Sequence, residues 1–351
     1  MTLMKHMLGA SAFVALTAGA ALADPAIIYD VGGKNDKSFN EAAFNGAMRW
    51  KTETGGNFKE LEMQNEAQRE QALRQLADDG ANPIVMTGFA FGDVLNTVAP
   101  DYPNTKFAIV DMVVDQPNVK SVVFTEDQGS YLVGMMAGLA SKTGTVGFVG
   151  GMDIPLIRRF GCGYAQGVMA ANPAAKVILN MTGTDGSAWN NPVKGAEIAK
   201  SQQSQGADVI YAAAGATGVG VLQAAADMGI LSIGVDSNQN YLHPGQVLTS
   251  MMKRVDNAVH DAFAEGADLK PGINVMDLKA GGVGYALDDN NAKLVTPEMK
   301  AAVDAAAEKI KSGELVVHDY MTDNACPGVS ILCQLRQMGG GGQLHPPMRL
   351  N

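Results

Sequence analysis

Hydrophobic and polar positions alternate in blocks along most of this chain. Short apolar, β-rich runs are separated by segments with helical periodicity, the pattern of a parallel α/β fold. Strands are predicted over Ala26–Val31, Asn57–Met63, Pro83–Thr87 and Lys106–Asp111, with helices over Ser38–Glu53, Glu66–Asp79 and Gly92–Asp101 between them. Val119–Phe124 ends this series and is expected to cross to a second lobe. There the alternation restarts: helix Asp127–Lys142, strand Thr145–Val149, helix Pro155–Ala171, strand Lys176–Met181, helix Asn191–Gln205, strand Asp208–Ala213, helix Gly218–Met228 and strand Leu231–Val235. Val247–Met252 and Val255–Ala264 are expected to return to the first lobe, and Gly281–Ala286 to cross once more. Pro297–Ser312 reads as a terminal helix with Thr296 as N-cap and Gly313 closing it. The expected division is therefore residues 24–124 plus 247–282 in one lobe and 125–246 plus 283–327 in the other. Several crossings between two lobes make a hinge over one cleft.

The ends of the chain read differently. Residues 1–23 have Lys5 and His6, an apolar run over Met7–Leu22 and a small-residue site at Ala21-Leu22-Ala23, a cleavable secretory leader too short to span a membrane. No cysteine follows that site, so the expected product is an exported, periplasmic protein without a lipid anchor, and no later run has membrane-spanning length. Residues 328–351 contain four consecutive glycines and Pro346-Pro347 without periodicity, and are expected to be disordered or foreign to the domain. Of the three cysteines, Cys333 lies in that tail, which leaves Cys162–Cys326 as the expected disulfide in an oxidising compartment. The formal net charge is −10, without a basic stripe, which argues against nucleic acid.

Catalytic chemistry finds little support. The histidines have no metal-ligand spacing, and there is no G-x-S-x-G elbow or nucleophile–base pairing, so neither metal nor cofactor is expected. Gly215, Gly218 and Gly220 follow a strand and open a helix, with Asp236 further on, which is close to a dinucleotide fingerprint. The spacing is G-x-x-G-x-G instead of G-x-G-x-x-G, and an exported protein seldom meets a nicotinamide, so a dehydrogenase is a minor reading.

Binding chemistry is better represented. At the junction Ile27–Gly46 a strand runs into Gly32-Gly33 and then a helix, placing Asn35, Asp36, Phe39 and Asn40 where open α/β folds hold ligands. The same junction also reads as a capping box between Ser38 and Glu41. Asp111 closes FAIVD and Asp236 closes LSIGVD, carboxylates at strand ends that accept paired hydrogen bonds from a diol or ring N–H groups. Lys253 follows an apolar run, and Trp189 stands in a strand-to-helix loop. Taken alone, either of these aspartates is equally a helix-cap or loop residue, and Lys253 is more often a surface lysine.

The segments DVGGKNDKSFNEAAFNG, FAIVD, VGFVGGMDIPLIRRF, GADVIYAAAGATGVGV, IGVDSNQNYL and VLTSMMKRVDNAV together resemble the basic membrane protein family, PnrA-like purine nucleoside receptors of ABC importers. The resemblance covers roughly residues 25–327. It implies a type I periplasmic-binding fold, two Rossmann-like α/β lobes with parallel sheets closing over a ligand. It implies a purine between two rings, Phe39 and Trp189, the latter where relatives commonly carry Phe. Asp36, Asn40 and Asp111 match positions for the base edge, and Gly215, Asp236 and Lys253 match positions for the ribose. The implied partners are a nucleoside (adenosine, inosine or guanosine) and an ABC permease, with the receptor a monomer and not an enzyme. A free base or flavin on the same scaffold is the alternative. A sugar-sensing regulator would need a helix-turn-helix where the leader stands.

Overall fold

The computed structural model describes residues 23–327; the leader, but for its last residue, and the tail lie outside the described residues. The first half runs β1 (Ala26–Tyr29), α1 (Phe39–Thr54), β2 (Lys59–Glu62), α2 (Arg69–Asp78), β3 (Ile84–Thr87), α3 (Gly92–Val98), β4 (Phe107–Val110) and β5 (Val119–Phe124). The second runs α4 (Glu126–Ala140), β6 (Thr145–Met152), α5 (Pro155–Ala171), β7 (Lys176–Gly183), α6 (Pro192–Ser204), β8 (Val209–Ala213), α7 (Ala216–Asp227), β9 (Leu231–Asp236) and β10 (Val247–Lys253). Then come α8 (Val255–Glu265), β11 (Gly272–Met276), β12 (Val283–Tyr285) and α9 (Pro297–Ser312).

These strands build two six-stranded sheets, one ordered β11-β5-β4-β3-β1-β2 and the other β12-β10-β9-β8-β6-β7. All pairings are parallel except β10 with β12. The central strands β1, β3, β4 and β8 are buried at every position, as expected where helices cover both faces of a parallel sheet. Their carboxyl ends face one cleft. Among the described residues no helix is long and apolar enough to cross a membrane.

The strand Val247–Met252 does not return to the first lobe. β10 pairs with β9 and β12 in the second sheet. Parallel neighbours are normally joined through a helix, and the link from Asp236 to Val247 has only a short turn at Asn240–Leu242. Gln239 braces that link instead: its side chain accepts from Val235 N at 2.9 Å, and its backbone N–H donates to Ser250 Oγ at 2.9 Å. The chain then crosses at Arg254, so that α8 packs on α1 in the first lobe, and β11 extends the first sheet beside β5. β11 has no counterpart in the sequence reading, because this edge strand is exposed at four of its five positions and alternates nothing. The lobes are thus joined three times, after β5, after β10 and after β11. Cys162 on α5 is disulfide-bonded to Cys326, fastening the C-terminal segment to the second lobe.

Candidate functional site

The cleft between the lobes holds about 670 Å³ of empty space, part of it open to solvent. Asp36, Phe39, Asn40, Asp111, Trp189, Gly215, Asp236 and Lys253 all line it. Asn35, grouped with them in the sequence, is exposed and does not. Phe39 comes from the start of α1 in the first lobe, and Trp189 from the loop between β7 and α6 in the second. The two lobes therefore contribute one ring each.

The β1–α1 junction is held by Asp36, not by the Ser38–Glu41 capping box. Asp36 Oδ1 accepts from the backbone N–H of Ser38 at 2.8 Å and Glu41 at 3.0 Å, and Oδ2 from that of Asn40 at 3.0 Å. These bonds satisfy the free N–H groups of a helix start. Burial still pushes the Asp36 carboxyl up to about 6. Asn40 ties the wall together, donating to Asp30 O and Gly33 O at 3.3 Å each and accepting from Thr87 Oγ1 at 3.0 Å. Ser38 is thereby free to reach across the cleft, donating to Asp236 Oδ2 at 2.5 Å. Ser237 Oγ donates to Ser38 O at 3.0 Å, and Gln239 Nε2 to Lys37 O at 2.8 Å. The lobes are closed on one another.

Asp111 and Asp236 occupy equivalent places at the ends of β4 and β9, and both have left-handed backbone, φ 71° and 63°. Aspartate tolerates this conformation better than most residues, at a cost of order 1 kcal/mol. Burial pushes each carboxyl up to about 6, against the pull of Lys253. Lys253 Nζ lies 2.6 Å from Asp111 Oδ2 and 3.0 Å from Glu126 Oε1. Burial works against its charge, but Asp111, Glu126 and Asp236 outweigh it and hold its pKa above the ordinary lysine value. The ammonium also stands 5.2 Å from the Phe39 ring, 5.1 Å from Phe124 and 5.5 Å from Phe160. Asp111 Oδ1 is buried without a hydrogen-bond partner.

Glu126 is fully buried at the start of α4 and was not singled out from sequence, where T-E-D reads as an ordinary helix start. Its Oε2 accepts from Arg159 Nη1 at 2.9 Å, and Arg159 also pairs with Asp319. A chain of opposite charges thus runs from the cleft to the C-terminal segment. Asp30 also lines the cleft and pairs with Arg69 at 2.9 Å. Its signal was present, since AIIYD ends on aspartate exactly as FAIVD and LSIGVD do.

The glycine motif after β8 has a packing role. Gly215 adopts φ 56°, ψ −137°, a region open essentially to glycine alone. A Cβ on Gly220 would fall 1.9 Å from Pro192 O, so this glycine lets α6 and α7 touch. Thr217 locks the tryptophan loop to the same turn, donating to Ala188 O and accepting from Asn191 N, both at 2.7 Å.

Known proteins resemble this chain in sequence and fold. A family profile described as ABC transporter substrate-binding protein, PnrA-like, matches residues 24–320. The chain is 32% identical to the ABC transporter nucleoside-binding protein BmpA of Lactococcus lactis over 317 residues, covering 83% of this chain and 88% of the relative. An uncharacterized lipoprotein of Pyrococcus horikoshii is also 32% identical, over 83% of this chain and 82% of its own. The crystal structure of an ABC transporter solute-binding protein of Aeropyrum pernix K1 superimposes with a TM-score of 0.76 at 29% identity, over 84% of this chain and 94% of that one. The sequence, the two parallel-sheeted lobes and the cleft agree: this chain belongs to the PnrA-like family of ABC transporter substrate-binding proteins.

Proposed function

We propose that the cleft captures a purine nucleoside outside the cytoplasmic membrane and presents it to an ABC importer permease, as a carrier and not a catalyst. The observation that carries this reading is Asp111 Oδ1, a buried carboxylate oxygen without a partner in a cleft walled by Phe39 and Trp189. A buried acceptor left unpaired costs about 1–3 kcal/mol, and a flat ligand with an N–H edge repays it. The two rings supply stacking, worth about 1–3 kcal/mol per base. Asp111 meets the base edge, with Asp36 and Asn40 shaping the wall behind it. Gly215, Asp236 and Lys253 meet the ribose, where a carboxylate and an ammonium suit a diol. The nucleoside-binding name of the Lactococcus relative supports the ligand class.

Closure follows from differential affinity, since a ligand that touches both lobes favours the closed arrangement. The mature protein is proposed to be a periplasmic monomer starting at Asp24 without a lipid, in contrast to the lipoprotein named from Pyrococcus. Native mass spectrometry of the purified protein, followed by denaturation, tests ligand and processing together. A released purine nucleoside and an unmodified amino terminus at Asp24 are expected. A flavin, a free base or a sugar overturns the ligand, and a lipid adduct overturns the processing.

A further inference from the structure

Gly151 lies near the end of β6, buried, and is not among the residues lining the cleft. A Cβ placed on it would fall 2.2 Å from Trp189 Cζ3, 2.5 Å from Cε3 and 2.9 Å from Cη2, far inside van der Waals contact. Its φ lies outside the left-handed range that favours glycine, so the backbone itself would accept alanine. The three nearest atoms all belong to the benzo ring of the indole. Space for that ring is what position 151 requires of a glycine.

Hydrogen bonds hold the backbone around this seat. Trp189 ends a short turn over Gly186–Trp189, which Asp185 caps by accepting from Ser187 N at 2.9 Å. Its neighbour Ala188 is buried, and the Ala188 carbonyl accepts from Thr182 Oγ1 at 3.0 Å and Thr217 Oγ1 at 2.7 Å. On the Gly215 side, a Cβ would fall 3.3 Å from Trp189 O and 3.8 Å from Cε3. A methyl group at 151 would therefore press on the indole from the side of β6, and Trp189 borders the cleft.

We infer that Gly151 is a positioning residue for ligand specificity: it recesses the Trp189 indole into the end of β6 and so sets the width of the slot between Trp189 and Phe39 for a bicyclic base. The inference deepens the proposed function and rests on reading the cleft as a purine site. Gly151 acts only through Trp189. Filling position 151 narrows the slot, and replacing the indole by a phenyl ring, which lacks the far edge of the benzo ring, opens it again.

The test is a calorimetric titration of inosine into the wild type, Gly151→Ala, Trp189→Phe and the double variant. Gly151→Ala is expected to weaken binding at least tenfold, Trp189→Phe only a few-fold, and the double variant to return to within a few-fold of Trp189→Phe. Gly151→Ala that binds like wild type, or a double variant as weak as Gly151→Ala, overturns the inference. A second readout needs no ligand. The chain has two tryptophans, so a Trp50→Phe background isolates Trp189 fluorescence. There Gly151→Ala is expected to about double acrylamide quenching of the indole, and unchanged quenching overturns the recess. Failure of inosine to bind the wild type, with the quenching change present, would overturn the ligand reading and leave the seat standing.

Discussion

Lys253 Nζ and Asp111 Oδ2 meet at 2.6 Å with side-chain exposures of 2% and 7%, one from each lobe. The pair spans the cleft at its back wall and leaves Asp111 Oδ1 unpartnered. Charge and hydrogen bonding thus both link the two lobes at the cleft.

Removing one partner of a buried pair strands the other, which costs about 3–5 kcal/mol. Lys253→Met strands Asp111, while Glu126 keeps Arg159, and is expected to lower stability by that amount. Urea denaturation of the ligand-free protein measures it. A loss below 1 kcal/mol would show that water reaches the carboxylates.

Phe39→Ala and Trp189→Ala are each expected to weaken purine nucleoside binding by about 1–3 kcal/mol, the stacking of one base. Calorimetry reads the affinity, and circular dichroism checks that the fold is retained. Normal affinity in both variants would place the ligand elsewhere.

Asp236→Ala is expected to cost guanosine more affinity than guanine, because only the nucleoside has hydroxyls for the carboxylate. Both ligands also lose the Ser38–Asp236 bond that helps close the lobes. That shared loss cancels in the ratio of the two affinities. A ratio equal to that of the wild type removes the ribose assignment.

The pH response separates stability from binding. Burial raises Asp36, Asp111 and Asp236 to about 6 in the folded protein, above the ordinary carboxylate value near 4. The folded state then holds more protons than the unfolded one between pH 4 and 6, so stability from these groups is present below pH 4 and lost as pH rises through 6. The ligand-free protein is expected to melt at a higher temperature at pH 5 than at pH 7.5, and Asp236→Asn to reduce the difference. Binding runs the other way. Ring N–H and hydroxyl donors need the ionised carboxylates, so nucleoside affinity is expected to fall between pH 7 and 5. A melting temperature that rises toward pH 7.5 would contradict the first, and an affinity flat from pH 7 to 5 the second.

The α/β alternation is legible because buried parallel strands are continuous apolar runs and each is followed by an amphipathic helix. The cleft is legible where a strand ends on an acidic residue, as at Asp111 and Asp236. β10 was misplaced because a helix-free link between parallel neighbours gives no periodic signal, and the brace that makes it possible, Gln239 with Ser250, is tertiary. Glu126 escaped notice because its burial is set by Lys253 and Arg159, which are distant in sequence. Asp36 and Asn40 line the cleft, yet their own bonding is to the loop they shape. Whether a polar group is spent on scaffold or left for a ligand depends on geometry that residue type does not encode.

The three crossings between lobes have a mechanical consequence. A body hung from one strand can swing and spin, whereas one hung from three has far less freedom to twist. Opening and closing are therefore expected to follow one path, with Phe39 and Trp189 meeting each time in the same register. Redundancy also follows. A protease cut within Asp277–Gly282 leaves two covalent links intact, so the nicked protein is expected to hold its lobes together and to keep the same arc of motion.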